Sequence, residues 1–298
     1  MISSRERVGA AISRRRTDRI PRGELCIDDD LVRQVLKSAR AGFEERAAFI
    51  AQLGLDLVTL APAYPAGAGV PEKLADPLPD LEKWVLQTPY FVFALLDGAF
   101  GWGTRLMDYL EFLMLHRSSP LEFKDLIDGV EKLNRELIIS LVGRGVDGII
   151  IADDIAYRRG LMISPLVLRE LLFPALARQV SAASGEVPLF FHSDGNYSEI
   201  IPDLVHCGFR GLQCLERQAG MDPLTLKRRY PEMCFWGTLE VEDLERAEDE
   251  ARLEKIAAEI HSLSAEKGFI LGTTCGLFNG IDLEGLSAIH RKVDGGGR

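Results

Sequence analysis

The sequence predicts a single (β/α)8 barrel of the α/β class, a TIM barrel, spanning residues 1–298. Eight short apolar runs alternate with amphipathic helical stretches, and each run ends in a polar or glycine-bearing tip. No glycine-rich fingerprint of the kind an open, doubly wound sheet carries follows the first run, and no nucleotide loop appears anywhere. Alternation of this kind builds parallel sheet, and eight right-handed crossovers can close it.

The predicted strands are 20–26, 56–61, 90–96, 148–152, 189–192, 211–216, 233–237 and 268–272. Helix starts are marked where a capping side chain precedes a proline at the first helical position: Ser119-Pro120, Ser164-Pro165 and Asp222-Pro223. Leu126, Val130, Leu133, Leu137 and Leu141 recur at three- or four-residue steps and give one apolar stripe able to pack on a sheet. Residues 241–264 read as a long, charge-rich helix of the outer ring. Residues 64–80, rich in Pro, Gly and Ala, are too long for a simple strand-to-helix connection and are expected to form a lid. Disorder is expected only at the ends, notably Gly295-Gly296-Gly297.

Hydrophobic residues at 47% and charged residues at 27% describe an ordinary globular chain. Its formal charge of -10 repels phosphate backbones, and the one tight basic run is Arg14-Arg15-Arg16, so nucleic acid is excluded as a partner. Neither a signal peptide nor a charge-free membrane span is apparent, so a cytoplasmic location without membrane attachment is expected. Five cysteines (Cys26, Cys207, Cys214, Cys234 and Cys275), odd in number and without CxxC spacing, fit reduced thiols.

With these strands, the barrel mouth collects Glu24, Asp97, Asp153, Asp154, His192, Asp194, Glu216, Thr238 and Cys275, because strand ends of this fold face one cavity. Asp153 and Asp154 follow the apolar run Gly148-Ile-Ile-Ile-Ala, where partial dehydration would raise a carboxyl pKa and suit proton transfer; a helix cap or loop ion pair is the other reading. His192 ends a strand and suits a metal or a hydrogen bond to substrate, against a buried imidazole bonded to backbone. Cys275, in Gly272-Thr-Thr-Cys-Gly276, can offer a thiolate or simply pack. Glu216 can supply an oxygen ligand, fix His192, or pair with Arg217. His192, Glu216 and Cys275, with Asp194 as a fourth group, form an N/O/S set that zinc accepts. Cys214 reads as a core residue with little prospect of a role. The aromatic stretch 91–102, ending at Trp102, would shape the mouth with Asp97 and Thr238 as substrate contacts.

At these residues the chain resembles the uroporphyrinogen decarboxylase superfamily, on the side of its corrinoid- or cobalamin-dependent methyltransferases (methylcobalamin:coenzyme M methyltransferase-like). The likeness rests on Arg5-Glu-Arg, Asp18-Arg-Ile-Pro21, Asp153-Asp154 with Gly160 and Ser164-Pro165, Pro174, His192-Ser-Asp-Gly-Asn196, Ala219-Gly-Met-Asp222, Gly237 and Cys275-Gly276. The decarboxylases carry an Arg-Gln-Ala-Gly-Arg segment for a polycarboxylate substrate; here the place reads Arg22-Gly-Glu-Leu-Cys26, which argues against decarboxylation. The methyltransferase branch holds zinc by a His-x-Cys motif and a second cysteine after the last strand. The resemblance thus implies zinc at His192 and Cys275, with Asp194 or Glu216 completing the set in place of the family's middle cysteine. It also implies a small methyl donor or acceptor, a corrinoid or methylcobalamin co-substrate, and, as partners, a corrinoid carrier protein or a second copy of the chain; the catalytic work is expected, from their places at the strand ends, of Asp153, Asp154 and Glu24. The alternatives are a cofactor-independent tetrapyrrole decarboxylase and a non-catalytic ligand- or corrinoid-protein-binding barrel.

Overall fold

In a computed structural model that describes residues 2–65, 67 and 69–295, seven parallel strands run side by side in the order β1 to β3 and β6 to β9. They are β1 (Leu57–Leu60), β2 (Phe91–Asp97), β3 (Gly148–Ala152), β6 (Leu189–His192), β7 (Gly211–Gln213), β8 (Cys234–Trp236) and β9 (Phe269–Ile270). A two-residue hairpin, β4 (Ala156–Tyr157) with β5 (Gly160–Leu161), follows β3. The predicted strand 20–26 is not a regular strand but an extended segment that joins the two sheet edges. Leu271 N–H donates to Pro21 O and Gly23 N–H to Leu271 O on one side, while Asp56 N–H donates to Arg22 O on the other. The eighth position of the (β/α)8 barrel is therefore filled. Gly296 and Gly297 of the expected disordered tail, and Ala66 and Ala68 of the expected lid, lie outside the described residues.

Alternation along each strand sorts side chains into two cores. Leu57, Phe93, Ile150, Phe190, Trp236 and Ile270 fill the barrel interior, closed from below by Val8 and Ala11 of α1 (Ser4–Ile12). Val58, Val92, Ile149, Ile151, Phe191, Leu212 and Phe235 face outward under the helices. Aromatic filling of the interior demands small neighbours: a Cβ on Gly211 would lie 2.1 Å from the Phe190 ring. Gly211→Ala is accordingly expected to cost about 1–3 kcal/mol through overpacking, read as a shift in urea midpoint at unchanged m.

The proline-marked helix starts are found at α7 (Pro120–Gly143), α8 (Pro165–Val167) and α11 (Pro223–Arg229). Asp222 accepts from Thr225 N–H at 2.8 Å and Ser164 from Leu166 N–H at 3.4 Å, whereas Ser119 makes no side-chain cap. The apolar stripe of α7 is buried along its length. The long helix expected over 241–264 is two, α12 (Val241–Glu245) and α13 (Glu250–Ala265), because Asp249 turns its carboxylate onto Ala251 and Arg252 N–H and starts the second one. Before α9 (Phe173–Ala182) the chain widens into a π turn, Leu168–Leu172, which relieves the crowding that Pro174 imposes on the preceding carbonyls. Among the described residues no helix is long and apolar enough to cross a membrane.

Candidate functional site

The site lies where β6 and β7 end side by side, with His192 opposite Gln213 in their register. Phe190 faces inward and Phe191 outward, so His192, the next residue of β6, faces inward. Beyond it the chain turns through Gly195 at φ +76°, where a Cβ would strike the backbone of Tyr157 at 2.7 Å. Only glycine lets the loop pass beneath the β4–β5 hairpin, and that passage brings Asp194 back over His192.

Three potential ligand atoms, from His192, Asp194 and Cys214, lie within 4.8 Å of one another. Cys214 Sγ donates to Asp194 Oδ1 at 3.3 Å. Burial first, and then the charges of Asp194 and Glu216, push the Cys214 thiol pKa well up, so it keeps its proton unless a cation replaces it. Gln213 Oε1 meets His192 Nδ1, and Asp154 Oδ1 stands 3.5 Å from Nε2. Asp154 also accepts from Asp194 N–H at 2.9 Å. Tyr197 Oη donates to Cys214 O at 2.7 Å from full burial and pins the end of β7.

These groups fit zinc. The fit is one of donor chemistry, nitrogen, oxygen and sulfur; tetrahedral zinc separates such donors by roughly 3.3–3.6 Å, so binding would draw together atoms that lie within 4.8 Å of one another. The surrounding carboxylates of Asp154 and Glu216 add negative charge that favours a dication.

The other residues singled out from sequence divide by the face on which they fall. Asp153 is wholly buried on the outer face; its carboxylate accepts from Phe100 N–H at 2.6 Å and Ala99 N–H at 3.2 Å, capping α5 (Ala99–Leu106). Burial raises its pKa to about 7 against those hydrogen bonds. Of the two readings of Asp153, the structure shows the contacts of the helix cap.

Glu24 also points away from the mouth. One carboxylate oxygen accepts from Thr273 N–H at 3.0 Å and Oγ–H at 2.5 Å, and the group sits against Val32, Phe49 and Ile50 in the outer layer. Burial lifts it to about 7, opposed by the Thr273 bonds. In this place Glu24 ties the first and last strand positions together through Thr273. Thr238 faces a cleft between α11 and α13, not the barrel mouth. Trp102 is 1% exposed, packed edge-on beneath Tyr64. Neither stands among the groups gathered at the ends of β6 and β7.

Asp97 does face the mouth, where Arg105 pairs with it and lies 5.1 Å over the Tyr64 ring. Tyr64 thereby anchors the start of the expected lid, and Leu78, Pro79 and Asp80 at its end roof a cavity of about 320 Å³ that also contains Cys26, Thr59 and Trp84. Glu216 and Cys275 meet in a separate rim cleft of about 520 Å³ with Glu240 and Thr274. Glu216 Oε2 accepts from Gly195 N–H at 3.0 Å, and burial raises its pKa. Cys275 is exposed, donates to Gly276 O at 3.3 Å, and lies outside the three-residue cluster. The structure brings together His192, Asp194 and Asp154, and adds two residues that sequence reasoning passed over, Gln213 and Cys214. A polar Gln at the end of the apolar run Gly211-Leu212 was the available signal.

The family model described as Uroporphyrinogen decarboxylase (URO-D) matches residues 86–295. The chain belongs to the uroporphyrinogen decarboxylase family. The β6 and β7 ends that carry the cluster fall within this matched span of the family domain. Among solved structures, this member resembles a methyltransferase from Methanosarcina mazei, at 19% identity and TM-score 0.75 over 99% of both chains. It also resembles a B12-independent methionine synthase from Shewanella sp. W3-18-1, at 13% identity and TM-score 0.60 over 93% of this chain and 95% of that one. A putative vitamin-B12 independent methionine synthase from Listeria monocytogenes is similar at 13% identity and TM-score 0.54, over 93% and 96%. No curated protein matches the sequence. At these identities the likenesses establish the shared fold.

Proposed function

We propose that the protein is a zinc-assisted methyltransferase that moves a methyl group between a small thiol or ether substrate and a corrinoid, free or on a carrier protein. The observation that carries this reading is the convergence of His192, Asp194 and Cys214 at the barrel mouth. The neighbours named as a methyltransferase and as methionine synthases support methyl transfer as the chemistry; corrinoid as co-substrate rests on the sequence motifs alone, since the methionine synthases are named as B12-independent.

His192 Nε2, an Asp194 carboxylate oxygen and Cys214 Sγ would hold the metal. When bound, zinc supplies Lewis acidity that lowers the proton affinity of a thiol or polarises an ether oxygen. Asp154, exposed beside His192 Nε2, is the nearest free carboxylate for taking up the proton a thiol gives up or for orienting the substrate.

Decarboxylation of a polycarboxylate finds less support. Arg22, the one arginine of the 22–26 segment, turns to the opposite end of the barrel, where it binds Asp294 at 2.6 Å and His290 O at 3.0 Å. No guanidinium of that segment reaches the mouth to clamp carboxylates.

The test is zinc-loaded protein incubated with methylcobalamin and a panel of small thiols, following formation of cob(I)alamin and methyl thioether under anaerobic conditions. Demethylation is expected to require zinc and to fall at least about 100-fold in His192→Ala, as removal of a direct ligand exceeds the effect of losing an outer partner. Conversion of uroporphyrinogen by metal-free protein, with no demethylation across the panel, would overturn the reading.

A further inference from the structure

Neither the metal set nor the proposed transfer uses Gln213, yet it is fully buried and stands on the inner face opposite His192. Its Oε1 meets His192 Nδ1. An amide oxygen only accepts, so in the neutral ring Nδ1 carries the proton and Nε2 is left as a lone pair. The opposite tautomer would place a proton on Nε2, directed at Asp154 Oδ1 3.5 Å away, and would close that nitrogen to any cation. On its other side the Gln213 amide lies close over Gly237, where a Cβ would come within 2.7 Å of Nε2, and Nε2 has no hydrogen-bond partner among the described residues. A buried amide that leaves its NH2 unmatched while keeping its oxygen on one imidazole nitrogen is arranged for that imidazole.

We propose that Gln213 is a positioning residue that locks His192 in the Nδ1–H tautomer and so presents Nε2 to the space shared with Asp194 and Cys214. This rests on the reading of His192 as a cation ligand. The same division of labour, one ring nitrogen held by an outer partner and the other left for metal, is general for metal-binding histidines.

The experiment compares wild type, Gln213→Leu and Gln213→Glu in two measurements. Long-range nitrogen–proton NMR of histidine-labelled, zinc-free protein reports the tautomer, with His192→Gln used to assign the signal. Competition with a chromophoric chelator reports zinc affinity. Wild type is expected to show Nδ1–H. Gln213→Leu is expected to lose that preference and to bind zinc about 10–100-fold more weakly. Gln213→Glu, which keeps an acceptor at the same place, restores both and shows that the loss in Leu is not misfolding. An Nε2–H tautomer in wild type, or equal zinc affinity in wild type and Gln213→Leu, would overturn the proposal while leaving the metal reading in place. Wild-type protein with the Nδ1–H tautomer and no affinity for zinc would instead overturn the metal reading, and with it the purpose assigned to Gln213.

Discussion

Cys214→Ala is expected to weaken zinc binding by more than about 100-fold, while Cys275→Ala changes it by no more than about threefold. The contrast follows from where the chain sends the two sulfurs. Cys214 is buried at the end of β7, with Sγ already donating to Asp194 Oδ1 at 3.3 Å, so a cation that displaces this proton gains sulfur and oxygen ligands that stand in place. Cys275 is exposed in the rim cleft and donates to the carbonyl of its own neighbour. Recruiting it would mean moving the tip after β9, where Gly276 is wedged against Cys26: a Cβ there would meet Cys26 Sγ at 2.3 Å. Chelator competition on both variants, with far-UV circular dichroism to show that each is folded, measures the difference. If Cys275→Ala loses zinc and Cys214→Ala keeps it, the cluster seen here is not the metal site, and the set implied by the family's spacing is the correct one.

The contrast between these cysteines also shows what the sequence revealed. Barrel order was legible because each strand is an apolar run closed by a polar tip, a pattern that depends only on composition and period. The face on which a tip residue falls was not, because it turns on a single position in a two-residue period. Asp153 and Asp154 are adjacent and chemically identical. One caps α5 on the outside and the other stands beside His192. Glu24 and Thr238 differ from the expected placement for the same reason: Glu24 is next to inward-facing Leu25, and Thr238 lines an outer cleft. His192 and Asp194 come together because Gly195, at φ +76°, lets the chain turn back over the strand end. Cys214 was not legible, since a cysteine in an apolar run reads as packing until the register places it opposite a loop from the neighbouring strand. The irregular first segment was read as a strand because Ile20-Pro21 and Leu25-Cys26 are apolar. Its ladder is interrupted because Pro21 has no N–H and Arg22 N–H is taken by the Asp56 side chain at 3.0 Å.

Asp56→Ala is expected to cost about 3–5 kcal/mol. Asp56 is fully buried immediately before β1, at the end of the barrel opposite the site. It accepts from Ser4 Oγ at 2.8 Å, Arg7 at 2.6 Å, Arg19 at 2.7 and 2.8 Å, and Arg22 N–H at 3.0 Å. Three separate pieces of chain meet on this one side chain: α1, the 18–22 segment and the start of β1. The arginine- and aspartate-rich motifs near the N-terminus therefore act as a brace for the barrel floor, with Asp18 closing the set by a paired contact to Arg7 at 2.7 and 2.9 Å. Exchange of the whole network for apolar residues need not destabilise, but removal of its central anion leaves Arg7, 6% exposed, with half of its compensation and no water to replace the rest. Because α1 closes the barrel interior through Val8 and Ala11, its release would also expose part of the inner core. Urea unfolding of Asp56→Ala should show the lowered midpoint, and limited proteolysis should cut early between α1 and β1. A loss below about 1 kcal/mol, in the range of an exposed ion pair, would mean that the floor is held by packing alone and that these arginines are there for another reason.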